Sequence, residues 1–398
     1  MSNILMVTSR HVVKNDGSVA STGAGTLIFR RAKAMKNILG LSTAILPLNG
    51  VVKNVDTGHF GSYFVPNNNV TKNIENHIKK HKPEIIILSG EKSYIYEKKI
   101  SKTLKEIGLN SSIILDIHGA LEEGIEHAKG LSFIRHFMRY QLKKMFFKKY
   151  SKKANGIIFV TDELRDHYYK MLSQDQIDKI VDIKIRCGIE EKITNGQRLQ
   201  WRKSIREKWG IDEDTIVFVY SGYRWAWQKI DETIKLFEYF NTNIKKSFFV
   251  LLTNSDPEFE KKLKEKFPKN NYYVELLPAN EVKKYLCACD VGMLIREDNY
   301  TNNVAFPNKF SDYINSGLSL VISDSLKEPV RILKKYNFPY LEVNLPELKV
   351  STLDPIYIRQ KNVVEFYNLC NEICQNELDY DYQIKQQIRK FQKLRDRK

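Results

Sequence analysis

The segment from residue 298 to residue 322, DNYTNNVAFPNKFSDYINSGLSLVI, carries the pattern that decides the fold. A polar stretch ends at Pro307, a pattern with helical spacing follows, and Gly317 separates it from the apolar run LSLVI. Another apolar run, VGMLI at 291–295, precedes the polar stretch. Strand, loop, helix and strand in this order predict one βαβ unit of a parallel sheet.

The helix start inside this segment has the features of an anion site. Backbone N–H groups in the first turn of a helix have no partner within the helix and bind anions. Lys309 lies in that turn, where the helix dipole disfavours a cation, and a phosphate partner would explain it. Asp312 follows one turn later, where a carboxylate accepts hydrogen bonds from a ribose diol. A solvated helix start explains the same residues, so this segment alone does not decide.

The same alternation of short apolar strands and amphipathic helices extends over most of the 398 residues. The predicted strands are 4–8, 43–46, 84–88, 112–116, 156–160, 181–185, 216–220, 248–252, 272–276, 291–295 and 318–322. The predicted helices include 26–39, 94–107, 229–240, 257–267, 281–287 and 309–316. The rhythm restarts after residue 190. We therefore predict an α/β protein of two doubly wound, Rossmann-like domains that face each other across a cleft.

A second loop with cations follows the predicted strand 216–220. The stretch SGYRWAWQK, residues 221–229, places Arg224 and Lys229 between that strand and the next helix. Doubly wound sheets bind ligands at the carboxyl ends of their strands, so both cations are predicted to neutralise a phosphate. Two surface cations on a loop would have the same sequence.

The first segment resembles the nucleotide-binding half of the retaining GT-B glycosyltransferases, particularly family 4. The matching positions are Pro307, Lys309, Asp312 and Gly317. The stretch 221–229 resembles the strand, glycine, arginine and lysine of the same family, with the arginine displaced by one position to Arg224. The resemblance implies a nucleoside diphosphate sugar as donor, Arg224 and Lys229 as catalytic cations on its diphosphate, and Asp312 on its ribose. It also implies retention of configuration without a metal ion or a cofactor.

The chain departs from that family at two positions. Asp312 stands where the family more often has glutamate, and Val304 stands where a second glutamate touches the donor sugar. The donor-sugar contact is therefore open, and its candidates are Thr301, Asn302 and Asn303. The predicted donor is a uridine diphosphate sugar.

The resemblance extends more loosely over the first half of the chain. It implies that residues 1–190 form the acceptor-binding domain, that 191–375 bind the nucleotide sugar, and that a basic helix at 376–398 crosses back to the first domain. Gly23 and Gly25 lie in a loop that would face the donor phosphate, and His118 lies where the family often has a histidine near the reacting carbon. A single glycine loop and a packed histidine would have the same sequence.

A strongly basic segment, residues 134–153, contains no acidic residue. Its apolar residues Ile134, Met138, Leu142 and Met145 recur at helical spacing. This pattern favours a helix whose apolar stripe packs on the domain core while its cations face water. The alternative is a helix on the surface of an anionic membrane. In that case the membrane-facing cations would be Arg135, Arg139, Lys143 and Lys144.

Composition narrows the class of protein. The net charge of +17 favours an acidic partner, and the 42% of hydrophobic residues is typical of a globular chain. No run approaches the roughly 20 apolar residues of a membrane-spanning helix. The first seven residues lack the pattern of a secretory signal, and the five cysteines lack metal-ligand spacing. We expect a cytoplasmic protein that makes peripheral contact with the inner face of the cell membrane.

Three functions fit these observations. The first is a glycosyltransferase whose acceptor is a saccharide or a lipid-linked molecule in cell-surface polysaccharide or glycolipid synthesis. The second is a sugar-nucleotide epimerase of the same fold, whose acid and base would be among Glu122, Glu123 and Glu126 near His118. The third is a basic protein that binds nucleic acid or anionic lipid. Aromatic residues do not interleave with the basic runs, so we predict the transferase and no nucleic-acid partner.

Overall fold

The computed structural model describes residues 3–14, 23–50, 52, 62–126, 128–267, 271–345, 352–354, 356 and 362–396. The chain divides into two compact units. The first consists of Met1–Glu190 together with Asp379–Lys398, and the second consists of Glu191–Leu378.

The first unit is built on a parallel sheet. Its strands are β1 (Ile4–Thr8), β2 (Thr43–Pro47), β3 (Ser62–Phe64), β4 (Ile85–Ser89), β5 (Ser112–Ile117), β6 (Gly156–Phe159) and β7 (Val181–Lys184). In the described residues they pair in the order β3-β2-β1-β4-β5-β6-β7, and every pairing is parallel. Strands β1, β4 and β5 are buried along their whole length, as a sheet covered on both faces requires.

Helices of this unit follow the strands in alternation. They are α1 (Gly23–Leu39), α2 (Val70–His81), α3 (Glu97–Glu106), α4 (Leu131–Ser151), α5 (Asp162–Tyr169) and α6 (Gln174–Ile177), with 3₁₀ turns at Glu91–Tyr96 and Leu121–Gly124. Local sequence sets their ends. Thr161, for example, caps α5 by accepting a hydrogen bond from the Leu164 backbone N–H.

The second unit repeats the design. Its strands are β8 (Ile216–Ser221), β9 (Ser247–Leu252), β10 (Tyr272–Val274), β11 (Val291–Leu294), β12 (Ser319–Ser323) and β13 (Tyr340–Val343), paired in parallel in the order β10-β9-β8-β11-β12-β13 among the described residues. Its helices are α7 (Asn195–Trp209), α8 (Ile230–Asn243), α9 (Pro257–Lys266), α10 (Ala279–Cys287), α11 (Tyr300–Asn303), α12 (Asn308–Ser316), α13 (Lys327–Lys335) and α14 (Val363–Ile373). A π-helical turn, Cys374–Leu378, follows α14, and the chain continues in the first unit with α15 (Tyr380–Gln386) and α16 (Ile388–Arg395).

The predicted α/β class with parallel sheets is confirmed, and the predicted strands occur within two residues of their expected ends. Strands β3 and β13 and helices α2, α5, α6, α7, α11 and α13 lie outside the predicted elements. Within its described part, the predicted basic helix at 376–398 is divided into two short helices, α15 and α16. Asp379 starts the first by accepting a hydrogen bond from the Tyr382 N–H, and Gln387 (φ −101°, ψ 4°) separates the two.

Strand order locates the ligand-binding edge of each sheet. In the first sheet the order reverses between β1 and β4, and in the second between β8 and β11. Doubly wound sheets bind ligands beyond the carboxyl ends of the strands at such reversals. The loops that follow β8 and β11 are therefore the place to look for a site in the second unit.

Candidate functional site

Lys309 reaches the carboxyl end of β8 by crossing over a glycine. Gly222 has φ +122°, a conformation that side chains disfavour, and a Cβ atom there would lie 2.6 Å from Cε of Lys309. The Lys309 Nζ lies 4.2 Å from the centroid of the Tyr220 ring and donates to Oε1 of Gln228 at 2.7 Å. The missing side chain at position 222 thus gives the lysine its route to the loop after β8.

Arg296 reaches the same oxygen from the loop after β11. Its backbone N–H donates to Oγ of Ser323 at 2.8 Å, and its guanidinium donates to Oε1 of Gln228 and to the carbonyl oxygen of Trp227, the latter at 3.4 Å. The residue is 6% exposed. We call Arg296 and Lys309 the Gln228 cation pair. The sequence analysis did not single out Arg296, because this residue follows an apolar strand and has no glycine or proline beside it.

The Gln228 cation pair holds charge that no carboxylate balances in the part of the chain that the structure describes. Within the described residues, neither cation forms an ion pair with a carboxylate, and the shared Gln228 oxygen is neutral. Burial, reinforced by the nearby charge of Arg296, lowers the pKa of Lys309 well below its usual range. Burial also lowers the pKa of Arg296 to about 10, which leaves it charged at neutral pH. Arg296 is a buried cation, and buried cations are normally paired, so this site favours an anionic ligand.

The two cations predicted from the loop after β8 have carboxylate partners instead. Nζ of Lys229 lies 3.4 Å from Oε1 of Glu297. Lys229 also has φ +47°, in the left-handed region, at the start of α8. Arg224 pairs with Asp256, and its Cζ lies 4.2 Å from the centroid of the Phe259 ring. An unfavourable backbone conformation at a loop next to a ligand-binding edge often marks a functional residue, which favours Lys229 over Arg224.

Three predicted sugar contacts belong to the short helix α11. The buried Asn302 side chain donates to the carbonyl oxygen of Glu297 at 3.0 Å, and Asn303 donates to Oδ1 of Asp298 at 3.1 Å. Both amides therefore hold the loop between β11 and α12. Thr301 is half-buried in the same turn.

Asp312 lies on α12, one turn beyond Lys309, and is half-buried. The proline that ended the polar stretch, Pro307, directly precedes this helix, as the sequence predicted. Lys309 and Asp312 therefore share one helix that begins at the ligand-binding edge of the second sheet.

Gly23 and Gly25 form part of a helix in the first unit. The sequence predicted a glycine loop followed by a helix from residue 26, but α1 begins at Gly23. This prediction is wrong in its boundary, because the low helix propensity of glycine hid the first turn. Both glycines thus belong to the turn where helices offer backbone N–H groups to anions. The rest of the predicted loop, 17–22, lies outside the described residues.

His118 follows β5 and belongs to a buried polar cluster. Its Nε2 lies 2.5 Å from Oδ2 of Asp116, and Oδ1 of Asp116 accepts a hydrogen bond from Arg31 at 2.9 Å. Ser89 donates to Oδ2 of Asp116 at 2.9 Å. With Nε2 on the carboxylate, a neutral ring carries its proton there and presents Nδ1 as an acceptor. The sequence singled out His118 but not Arg31 or Asp116, which fix its orientation.

We expect His118 to stay uncharged throughout the physiological range. Burial lowers its pKa to about 4, Asp116 opposes this shift, and Arg10 and Arg31 reinforce it. The ring therefore gains its proton only when the pH falls to about 4, well below the usual 6.5. Histidine NMR signals followed from pH 8 to pH 4, with His118→Gln for assignment, measure this directly. A titration near pH 6.5 would contradict the cluster described above.

The orientation of helix α4 differs from the one that the sequence favoured. The stripe that was predicted to pack on the core faces outward, with Ile134, Met138, Leu142 and Met145 exposed by 57, 61, 49 and 63%. The helix packs inward through Phe147 and Tyr150 near its end, which the periodicity of the first part did not reveal. Arg135 and Arg139 are exposed. Lys143 lies 3.2 Å from Glu91, and Lys144 lies over the ring of Tyr140 at 5.9 Å.

Of the carboxylates named for an epimerase, Glu122 contacts a histidine other than His118. Oε1 of Glu122 is 3.1 Å from Nε2 of His167, and Glu123 is exposed. In the part of the chain that the structure describes, no group of three or more His, Cys, Asp or Glu side chains is placed to hold a metal ion. The described helices also include none that is long and apolar enough to cross a membrane.

Solved structures share this fold over essentially the whole chain. HepE from Anabaena, in complex with UDP, aligns with a TM-score of 0.69 at 11% identity, covering 99% of this chain and 100% of that one. A glycosyltransferase from Rickettsia africae aligns with a TM-score of 0.68 at 13% identity, covering 100% and 99%. Sucrose-phosphate synthase from Thermosynechococcus elongatus aligns with a TM-score of 0.62 at 13% identity, covering 99% of each chain. No family profile matches the sequence, and neither does any curated protein. The fold is thus the two-domain GT-B fold of glycosyltransferases, as the sequence resemblance implied.

Proposed function

We propose that this protein is a glycosyltransferase that moves a sugar from a nucleoside diphosphate sugar to a saccharide or lipid-linked acceptor. The observation that carries the proposal is the Gln228 cation pair. Two cations that have no carboxylate partner among the described residues converge at the ligand-binding edge of the second sheet, where a diphosphate would neutralise them.

The chemistry of sugar transfer explains why such a site is needed. As the bond between the sugar and the diphosphate breaks, negative charge grows on the diphosphate, and preorganised cations stabilise that charge. In our proposal, Lys309 and Arg296 supply the stabilising positive charge, and Gln228 positions both side chains. Lys229 and Arg224 are proposed as additional phosphate contacts that exchange their carboxylate partners for the donor.

The remaining site residues take roles that the family resemblance suggests. Asp312 accepts hydrogen bonds from the ribose diol. The sugar is contacted by Thr301, Asn302 or Asn303, and the first turn of α1, with Gly23 and Gly25, offers N–H groups to phosphate. His118 acts as a neutral acceptor for a hydroxyl of the transferred sugar. We propose a reaction that retains configuration and needs neither metal nor cofactor.

We extend the proposal to the donor and to the pathway. HepE binds UDP, and we extend that preference to this chain as a uridine diphosphate sugar. The acceptor belongs to cell-surface polysaccharide or glycolipid synthesis, which suits the basic surface of the protein. The enzyme then works in the cytoplasm, in peripheral contact with the inner face of the membrane.

Calorimetric titration with uridine, guanosine, cytidine and adenosine diphosphates, and with the matching nucleosides, tests the proposal. One diphosphate is expected to bind more tightly than the others and far more tightly than its nucleoside. At about 100 times its dissociation constant it should stabilise the protein by about 2.7 kcal/mol. A bound diphosphate would raise the lowered pKa of Lys309, so any change in proton binding should be an uptake, which titrations in two buffers reveal. Equal binding of diphosphate and nucleoside would reject the phosphate site.

The same titrations examine Asp312. We expect Asp312→Ala to weaken binding of the preferred nucleoside diphosphate and of its nucleoside by a similar factor, because the ribose is common to both. A 2′-deoxynucleotide serves as the matched ligand, since it lacks one hydroxyl of the diol. If the variant binds both ligands as the wild type does, the ribose contact is wrong.

A further inference from the structure

We propose that α4 docks this protein on an anionic lipid surface by inserting its outward-facing apolar residues between the lipid headgroups. These residues, which we call the outer stripe, are Leu131, Ile134, Met138, Leu142 and Met145, exposed by 87, 57, 61, 49 and 63%. Their spacing of three and four residues places them on one side of the helix. A row of five exposed apolar side chains on one helix is the mark of an interaction surface.

The other side of α4 fixes this orientation. Phe147 and Tyr150 are buried, and the Phe147 ring meets the Tyr168 ring edge to face, with centroids 4.6 Å apart. The Tyr150 ring lies 6.2 Å from that of Tyr94. The helix is therefore anchored to the first unit by its inner side, and the outer stripe cannot turn inward without breaking these contacts.

The positive charge of α4 indicates which partner its exposed surface fits. The sequence of α4 contains no acidic residue, and Arg135 and Arg139 each follow a member of the outer stripe, so they lie along its edge. Exposed cations beside exposed apolar residues match the headgroups and acyl chains of an anionic membrane. A second copy of the helix would instead bring like charges together. The membrane is therefore the occupant to which the surface points.

The dimensions fit a helix that lies flat. At about 1.5 Å per residue, the outer stripe extends over roughly 21 Å, and its side chains reach only the headgroup region. Contact of this kind is peripheral and reversible. The inference goes beyond the proposed transferase and does not depend on it for the binding itself, although a lipid-linked acceptor would give it a purpose.

Co-sedimentation of the full chain with vesicles tests the docking. We expect binding to vesicles of phosphatidylglycerol and phosphatidylcholine, little binding to phosphatidylcholine alone, and release by salt. The double variant Ile134→Gln/Met138→Gln removes apolar contact and should weaken binding by about 100-fold. Its matched control is Leu199→Gln/Val364→Gln, which changes two exposed apolar residues of the second unit and should bind as the wild type does.

A variant that removes cations of α4 tests the electrostatic part of the proposal. Arg135→Gln/Arg139→Gln/Lys144→Gln should weaken binding by about 100-fold at low salt, whereas Lys98→Gln/Lys102→Gln/Lys105→Gln on α3 removes the same charge and should not. Equal effects of the two triple variants, or wild-type binding by the outer-stripe variant, would overturn the proposal. So would a lipid-free dimer that the outer-stripe variant abolishes. Nucleoside diphosphate titration of the same variants reports separately on the transferase site.

Discussion

Replacing Lys309 with methionine is expected to lower kcat/KM for sugar transfer by about 1000-fold while leaving the unliganded protein at least as stable as the wild type. The loss of activity follows from removing one preorganised cation from the leaving diphosphate, which typically costs two to three orders of magnitude. The unchanged stability follows from the site itself. Burial and the nearby charge of Arg296 lower the pKa of Lys309, so holding this amine in the folded protein costs stability, and methionine removes that cost.

Methionine is the right replacement because it keeps the shape of the lysine stem. It still fills the space over Gly222 and contacts the Tyr220 ring, where the lysine now lies. The donor hydrogen bond to Gln228 is lost, but Arg296 continues to donate to that oxygen. A gain or retention of stability together with a large loss of function is the signature of a site held in an unfavourable state for its ligand.

Arg296→Met should likewise lower kcat/KM without lowering stability. Three measurements distinguish a functional role of these cations from a structural one. These are the rate of nucleoside diphosphate release, the affinity for diphosphate against nucleoside, and the unfolding temperature without ligand. Lys246→Met is the matched control, because Lys246 pairs with Asp212 and Asp214 before β9, away from the strand ends that bind ligands. If Lys309→Met unfolds more easily and still binds the diphosphate normally, the lysine is structural and the proposed site is wrong.

The sequence predicted one member of the Gln228 cation pair and missed the other. Lys309 lies behind a proline at a helix start, and such punctuation is visible in a single sequence. Arg296 follows an apolar strand with no such sign, and its partner Gln228 lies 68 positions away. Contacts over this distance arise only once parallel strands are side by side. Pattern can locate the edge of a sheet, but the side chains that meet there depend on the packing.

Helices α4 and α7 show a second limit of the same method. Amphipathic patterning assumes that the apolar side of a helix faces the core. In α4 the apolar stripe is outside, and in α7 the buried side consists of Arg198, Arg202 and Arg206, exposed by 0, 8 and 1%. The arginines recur every four residues, as apolar residues do on the buried side of an amphipathic helix. In α7, however, charged side chains occupy that buried side. Buried charge of this kind becomes interpretable only through its partner.

That partner is Asp290, and replacing it with asparagine is expected to lower the free energy of unfolding of the second unit by about 3–5 kcal/mol. Asp290 is 1% exposed and lies directly before β11. Its Oδ1 is 3.0 Å from Nη1 of Arg202, its Oδ2 is 2.5 Å from Nη2 of Arg206, and the Val217 N–H also donates to it at 2.8 Å. The asparagine has nearly the same volume, so the loss comes from removing the carboxylate that the buried Arg202 and Arg206 guanidinium groups share.

Urea unfolding followed by tryptophan fluorescence isolates this effect, because the tryptophans of the chain, Trp201, Trp209, Trp225 and Trp227, all belong to the second unit. Glu213→Gln is the matched control. Glu213 also pairs with Arg202, at 2.9 Å, but its side chain is 67% exposed, so solvent screens the pair and its removal should cost less than about 1 kcal/mol. Equal losses from the two variants would mean that burial does not set the strength of this network. A small loss from Asp290→Asn would mean that α7 is held by its other contacts, such as the Arg198 hydrogen bonds to the Asn315 carbonyl oxygen.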